Sequence, residues 1–284
     1  MSVGHTLEEY DAVLRNWSGS HIMMAHVSFL RAVQHHEVGT IQRLIDDGAD
    51  IDGVRERGLY APLILAIRCG RVAVARLLLE RGADPNRANV DSIPPLIIAC
   101  QRHSCAMATL LLDFGADIQA TDDLGRTPLI IACLATTRNV ELVTVLLDRG
   151  ANILKGIPHT PLWHAVGTGK VEVTRLLLQR GAPADIGFDP SLPRRTSGAI
   201  DGWRMDTAFV TPLYHRLRKD GRRETLPIAR LLLAHGASFD QEHRIFDFTR
   251  PRGFYHVDTP LSLVRSCRTV RPGDHRLTPR IQPC

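Results

Sequence analysis

No stretch of this 284-residue chain is apolar for the roughly 20 residues that a membrane-spanning helix needs, which argues against an integral membrane protein. The N-terminal segment carries Glu8, Glu9 and Asp11 where a secretory leader has basic residues followed by an apolar core. An intracellular chain is therefore expected, cytoplasmic with possible entry to the nucleus. Six cysteines form no disulfide framework, and Cys100 and Cys133 both stand five residues after a proline, where cysteine serves as a small apolar side chain. Cys100, His103 and Cys105 are close enough in sequence to be read as metal ligands. They lack the second ligand pair of a zinc site, and structural cysteines are the preferred reading.

Catalytic motifs are also missing. Gly167-Thr168-Gly169-Lys170 looks like the end of a phosphate loop, but His164 stands where that motif needs glycine and Val171 where it needs Ser or Thr. His36-Glu37 lacks the second histidine of a zinc-protease helix, and there is no Gly-x-Ser-x-Gly elbow. No enzyme and no cofactor are expected. Lysine and arginine exceed aspartate and glutamate by 35 to 30, giving a net charge of +5 and a pI near 9.1. The excess is concentrated in Arg194, Arg195, Arg204, Arg216, Arg218, Lys219, Arg222 and Arg223. Neither a recognition helix nor a base-stacking platform accompanies it, so an acidic protein surface is a better partner than nucleic acid.

What the chain does contain is a unit that repeats. In Ala61–Asn86, Pro62 suits the first turn of a helix, because its φ is already helical and its missing N–H is not needed there. Leu63, Ala66 and Ile67 recur at helical spacing, Gly70 breaks the pattern, and Val72, Val74, Leu77, Leu78 and Leu79 begin a second apolar series. Gly82 then stands where a left-handed helix end is wanted, and Asp84-Pro85-Asn86 is turn chemistry. The unit reads as helix, tight turn, helix, loop.

Its punctuation recurs. Pro-Leu pairs begin at Pro62, Pro95, Pro128, Pro161, Pro212 and Pro260, the first four at steps of 33 residues, and Thr127, Thr160, Thr211 and Thr259 precede four of them. Gly-Ala pairs begin at Gly48, Gly82, Gly115, Gly150, Gly181 and Gly236. On these marks the chain resembles the ankyrin-repeat family from about Val27 to about Cys267. The resemblance implies an all-α solenoid of paired antiparallel helices joined by short hairpin-like fingers, in about seven units. One departure recurs: the histidine that follows Thr-Pro-Leu in the family is replaced by Ile64, Ile97, Ile130, Trp163, Tyr214 and Ser262.

Three segments depart from the regular array. Residues 1–26 read as a capping helix and linker, with a capping box at Thr6–Glu9, an apolar stripe of Leu7, Tyr10, Val13, Leu14 and Trp17, and a break at Ser18-Gly19-Ser20. Fingers at 184–210 and 238–258 are enlarged, and nine of the fifteen aromatic residues fall between Ala184 and Asp258. They close a satellite cluster or meet a partner. Residues 268–284, rich in arginine and proline and without a helical stripe, read as a disordered basic tail.

The resulting expectation is a non-enzymatic, monomeric scaffold or adaptor for a protein partner. The alternatives are a transcription co-regulator acting through a DNA-binding partner and, from a different class, an enzyme with a site in the enlarged fingers. The resemblance implies contact through fingers and first helices, which points to Tyr60, Arg68, Gln101, Arg102, Arg126, His159 and Thr168. Arg194, Arg195, Trp203, Arg218 and Lys219 join them as anchors beside the enlarged fifth finger, for a partner with an acidic and partly apolar surface.

Overall fold

A computed structural model describes residues 21–53, 61–89, 92–135, 140–156, 159–186, 211–213, 225–238, 243–247 and 254–258. Helices α1 (His21–His35) and α2 (Val38–Asp46) form the first pair. Then come α3 (Pro62–Arg68) with α4 (Val72–Glu80), α5 (Pro95–Gln101) with α6 (Cys105–Asp113), α7 (Pro128–Leu134) with α8 (Val140–Asp148), and α9 (Pro161–Gly167) with α10 (Val171–Gln179). In the sixth repeat Pro212 and Leu213 are helical, and α11 (Thr225–Ala234) is the second helix. The fold is an all-α ankyrin solenoid.

Proline starts α3, α5, α7 and α9, each seven residues long, as its fixed φ predicts. Thr127 adds a cap to α7, its hydroxyl accepting the Ile130 N–H at 3.4 Å while the residue itself is buried. Each second helix through α10 runs nine residues and ends on a glycine. At Gly82 the backbone turns left-handed at φ +94, so that Gly82 donates to the Leu79 carbonyl and Ala83 to Leu78, both at 3.0 Å. A Cβ on Gly82 would meet nothing within 4 Å, so the backbone angle alone demands glycine there.

Burial separates the two kinds of helix. Every residue from Pro62 to Ile67, Pro95 to Cys100 and Pro128 to Cys133 is buried, and α3 and α5 each lie between their own partner and both neighbouring first helices. The second helix α4 buries only Val74, Ala75, Leu78 and Leu79, leaving a solvated stripe. Ile64, Ile97, Ile130 and Trp163, which stand where the family has histidine, are all in the core. Apolar packing therefore occupies the place of a polar contact at each of these positions.

The helices fall into two compact units, Met1–Pro161 and Leu162–Cys284, a division that an array of nearest-neighbour contacts permits at any repeat border. In the first unit α3 packs on α1 and α5, and α5 packs on α7. In the second α10 packs on α11, and the finger after Gly236 contains an antiparallel ribbon of β1 (His243–Asp247) and β2 (Phe254–Asp258), pairing His243 with Asp258 through Asp247 with Phe254.

Two boundaries differ from the sequence reading. The first repeat starts at His21 rather than Val27, since His21–Ala25 contains no helix breaker and His26 packs into the space left by Gly53, left-handed at φ +71. The longer spacing from Pro212 to Gly236 reads as a widened inter-helix turn at Lys219–Thr225, whereas Thr225 is the first residue of α11. The capping helix within residues 1–20, the basic tail, the long finger from residue 187 to 210 and the seventh repeat lie outside the described residues.

Leu78 has no solvent exposure, and Leu78→Ala is expected to cost about 2–5 kcal/mol from lost transfer energy and packing. Leu226 is 55% exposed, and Leu226→Ala should stay within about 0.5 kcal/mol of wild type. Urea unfolding of both variants checks the assignment of core and surface.

Candidate functional site

The fingers are positioned by a polar ladder that runs from one repeat to the next. Two residues after Gly82, Gly115 and Gly150, a short side chain folds back onto the backbone N–H two further on: Asp84 Oδ1 accepts from Asn86 at 2.8 Å, Asp117 Oδ1 from Gln119 at 2.8 Å and Asn152 Oδ1 from Leu154 at 2.9 Å. The residue four after the Gly is thereby aimed at the following repeat. Asp52 Oδ1 accepts the Asp84 N–H at 3.1 Å and Asn86 Oδ1 accepts the Asp117 N–H at 2.7 Å. Asn86 Nδ2 also donates to the Gly115 carbonyl at 3.1 Å, and Gln119 Nε2 to that of Gly150 at 3.2 Å. These bonds satisfy carbonyls and amides that helix ends leave open.

In the second unit the same bond appears across a much longer stretch of chain. Asp185 accepts the Ser238 N–H at 2.9 and 3.2 Å on its two carboxylate oxygens, donor and acceptor being 53 positions apart in the sequence. Asp185 and Ser238 hold the same places after Gly181 and Gly236 that Asp52 and Asp84 hold after Gly48 and Gly82. The whole of the enlarged fifth finger lies within that interval, yet the register of the repeats is unchanged.

The residues expected to meet a partner do not form one patch. Arg126 precedes the first helix α7, at the finger end. Arg126 is committed locally: its Nε and Nη2 reach Asp122 Oδ2 at 2.8 and 2.7 Å, while Asp122 Oδ1 accepts the Leu124 and Arg126 N–H groups. His159, expected on the surface, is completely buried and has no face to offer a partner. The chain at Gly156 presses on the Ile130 side chain and the His159 carbonyl, leaving no room even for a Cβ, and this holds the loop inward. Arg68, Gln101, Arg102 and Thr168 stand at the opposite end, where first helix turns into second. A seven-residue helix, about 10 Å long, separates that end from the finger in each repeat. Tyr60, Arg194, Arg195, Trp203, Arg218 and Lys219 lie outside the described residues.

No group of three or more His, Cys, Asp or Glu side chains among the described residues is arranged to hold a metal ion. Burial pushes the Cys100 thiol far above its ordinary range. Cys69 is half-buried, and desolvation raises its thiol too, against the opposing pull of Arg71, Arg102 and Arg68. Cys105 is raised by desolvation and by Glu141. Neutral thiols are poor metal ligands and poor nucleophiles.

Comparison with known proteins agrees with this architecture. Residues 87–157 match the family model for ankyrin repeats (3 copies), and residues 59–90 and 159–188 match that for the single ankyrin repeat. The 2-5A-dependent ribonuclease of Mus musculus is 40% identical over 60 residues, 21% of this chain, and that of Homo sapiens 38% identical over 56 residues, 20% of this chain. The aligned stretch spans only 8% of either ribonuclease. Among solved structures, the human ASB11 ankyrin repeat domain is similar with a TM-score of 0.60 and 24% identity, covering 84% of this chain and 95% of that one. The ankyrin repeat domain of Bcl-3, described as a unique member of the IkappaB protein family, gives 0.62 and 26%, covering 83% and 92%.

Asn86→Ala removes one acceptor and one donor from the ladder and is expected to cost about 1 kcal/mol for each bond lost. Asn86→Asp keeps the acceptor for Asp117 and should cost less, which urea midpoints of the two variants will show. The repeat marks, the helix pairs and the ladder that joins them, taken with the matched residues, make this chain a member of the ankyrin-repeat family.

Proposed function

We propose that this chain is a non-catalytic scaffold for a protein partner with an acidic and partly apolar surface, bound most heavily through the late, enlarged fingers. The observation that supports this is the Ser238 to Asp185 hydrogen bond at 2.9 Å. The insertion in the sequence between Asp185 and Ser238 leaves this bond in place. It can then serve recognition without disturbing the fold. Its composition fits that use, since Arg194, Arg195, Trp203, Arg218 and Lys219 are of the types that anchor interfaces or steer association by charge.

Neither general feature of the described repeats favours chemistry. Their buried positions are filled mostly by aliphatic side chains, and burial holds the Cys69 and Cys100 thiols toward the neutral form. Ribonuclease activity belongs to the relatives named above, of which this chain matches 8% of the length, and it is not carried over. Among the described residues no helix is long and apolar enough to cross a membrane, and the place of action we favour is the cytoplasm, with access to the nucleus.

The partner is to be isolated by pull-down and mass spectrometry, and its affinity then measured for variant chains. Trp203→Ala is expected to weaken binding by about 2 kcal/mol or more, and charge reversal at Arg218 and Lys219 to slow association in a salt-dependent manner. Full affinity in a chain whose residues 189–209 are replaced by a short finger would overturn the assignment to the late fingers.

A further inference from the structure

The inter-helix turns of the first unit carry a charge distribution unlike that elsewhere in it. Along the fingers and the ends of the second helices, arginines are matched to carboxylates: Arg81 to Asp46 at 2.8 Å, Arg87 to Asp52 at 3.5 Å, Arg126 to Asp122 at 2.7 Å and Arg149 to Asp113 at 2.8 Å. At Arg71 and Arg102, on the turns, no such ion pair forms among the described residues. Both side chains are exposed. Arg68 stands three residues before Arg71, and α3 packs directly on α5, which brings the turn after one helix beside the turn after the other.

The half-buried Cys69 lies between them and registers all three guanidinium groups at once, each drawing its thiol toward the anionic form. His103, left-handed at φ 57, and the exposed His35 and His36 of the preceding turn add protonatable groups to the same edge. Facing carboxylates are few. Glu37 is the one acidic residue within residues 35–37, 68–71 and 101–104, and Glu141 of α8 lies toward Cys105 at the start of α6.

We propose that the turns at Arg68–Arg71 and Gln101–Ser104 form a second docking surface, separate from the late fingers, for a carboxylate-rich segment of a protein partner. Guanidinium groups pair with carboxylates through two parallel hydrogen bonds, and two exposed arginines on neighbouring turns supply two such forks. A nucleic acid strand would gain from aromatic side chains on which to stack its bases, and residues 68–71 and 101–104 contain no Phe, Tyr or Trp. Charge complementarity therefore selects an acidic peptide segment as the occupant.

The test uses the full chain and a fluorescein-labelled oligoglutamate peptide, followed by fluorescence anisotropy at low ionic strength. The double variant Arg71→Glu with Arg102→Glu is expected to bind about tenfold or more weakly than wild type, and the peptide should slow alkylation of Cys69 by neutral iodoacetamide. Arg76→Glu with Arg230→Glu changes the net charge equally at exposed sites away from these turns. That control should keep most of the affinity. Equal losses in the two double variants would reduce the effect to net charge and overturn the proposal, as would failure of the wild type to bind the peptide. An oligonucleotide of equal charge that binds as tightly and with the same arginine dependence would overturn the assignment to an acidic protein segment. Peptide binding retained when residues 189–209 are shortened separates this surface from the late-finger reading, so either can fail alone.

Discussion

The hydrogen bond between the N–H two residues after one helix-ending glycine and the side chain four residues after the preceding one fixes how successive repeats meet within each compact unit. Helices of seven and nine residues are too short to persist alone, so packing on neighbours must hold them, and packing of similar aliphatic surfaces does not by itself fix one alignment. Directional bonds do. Asp52 to Asp84 and Asn86 to Asp117 place each finger against the next, and the fold of Asp84 or Asp117 onto its own turn keeps the acceptor pointed outward. At the corresponding places Leu154 has no acceptor and Pro183 no N–H, so the ladder's chemistry is absent from both of those residues.

That constraint also explains where variation is tolerated. Between Asp185 and Ser238 the chain gains a long finger and extra residues between first and second helix, and the ladder bond forms as though neither were present. The electrostatic pattern is equally organised. Ion pairs such as Arg81 with Asp46 and Arg149 with Asp113 bridge successive repeats near the surface, where each contributes about 0–1 kcal/mol, while Arg71 and Arg102 keep their charge available. Ion pairs between repeats and the exposed charges of Arg71 and Arg102 thus occupy opposite ends of the short first helices.

Much of the frame was legible in the residues because its punctuation has a direct physical cause. Proline at a helix start and glycine at a left-handed helix end are chosen by backbone geometry, and the paired marks from Pro62 to Gly181 locate the helices of repeats two to five. The start of α1 is not legible in the residues, because the break at Ser18-Gly19-Ser20 reads as the opening of a linker up to residue 26, where His21–Ala25 is already helical. His159 was misplaced because its position before Thr160 was judged from a family pattern. Burial there depends on the close approach of Gly156 to Ile130, a contact between distant residues that no local pattern records. The ladder was overlooked although Asp52, Asn86, Gln119 and Asp185 recur four residues after the glycines, a signal too dependent on spatial neighbours to read from one repeat. Arg68, Gln101 and Arg102 are grouped with the fingers when read from the residues, and their separation from the fingers depends on the helix directions.

Amide hydrogen exchange resolved to single residues tests the preserved register most directly. If the frame closes beneath the enlarged finger, the Ser238 amide is protected to an extent comparable with Asp84 and Asp117, because all three donate the same bond to the preceding repeat. Exchange of Ser238 at the rate of an unstructured chain, with Asp84 and Asp117 protected, would mean that the late repeats do not continue the ladder and would contradict the account.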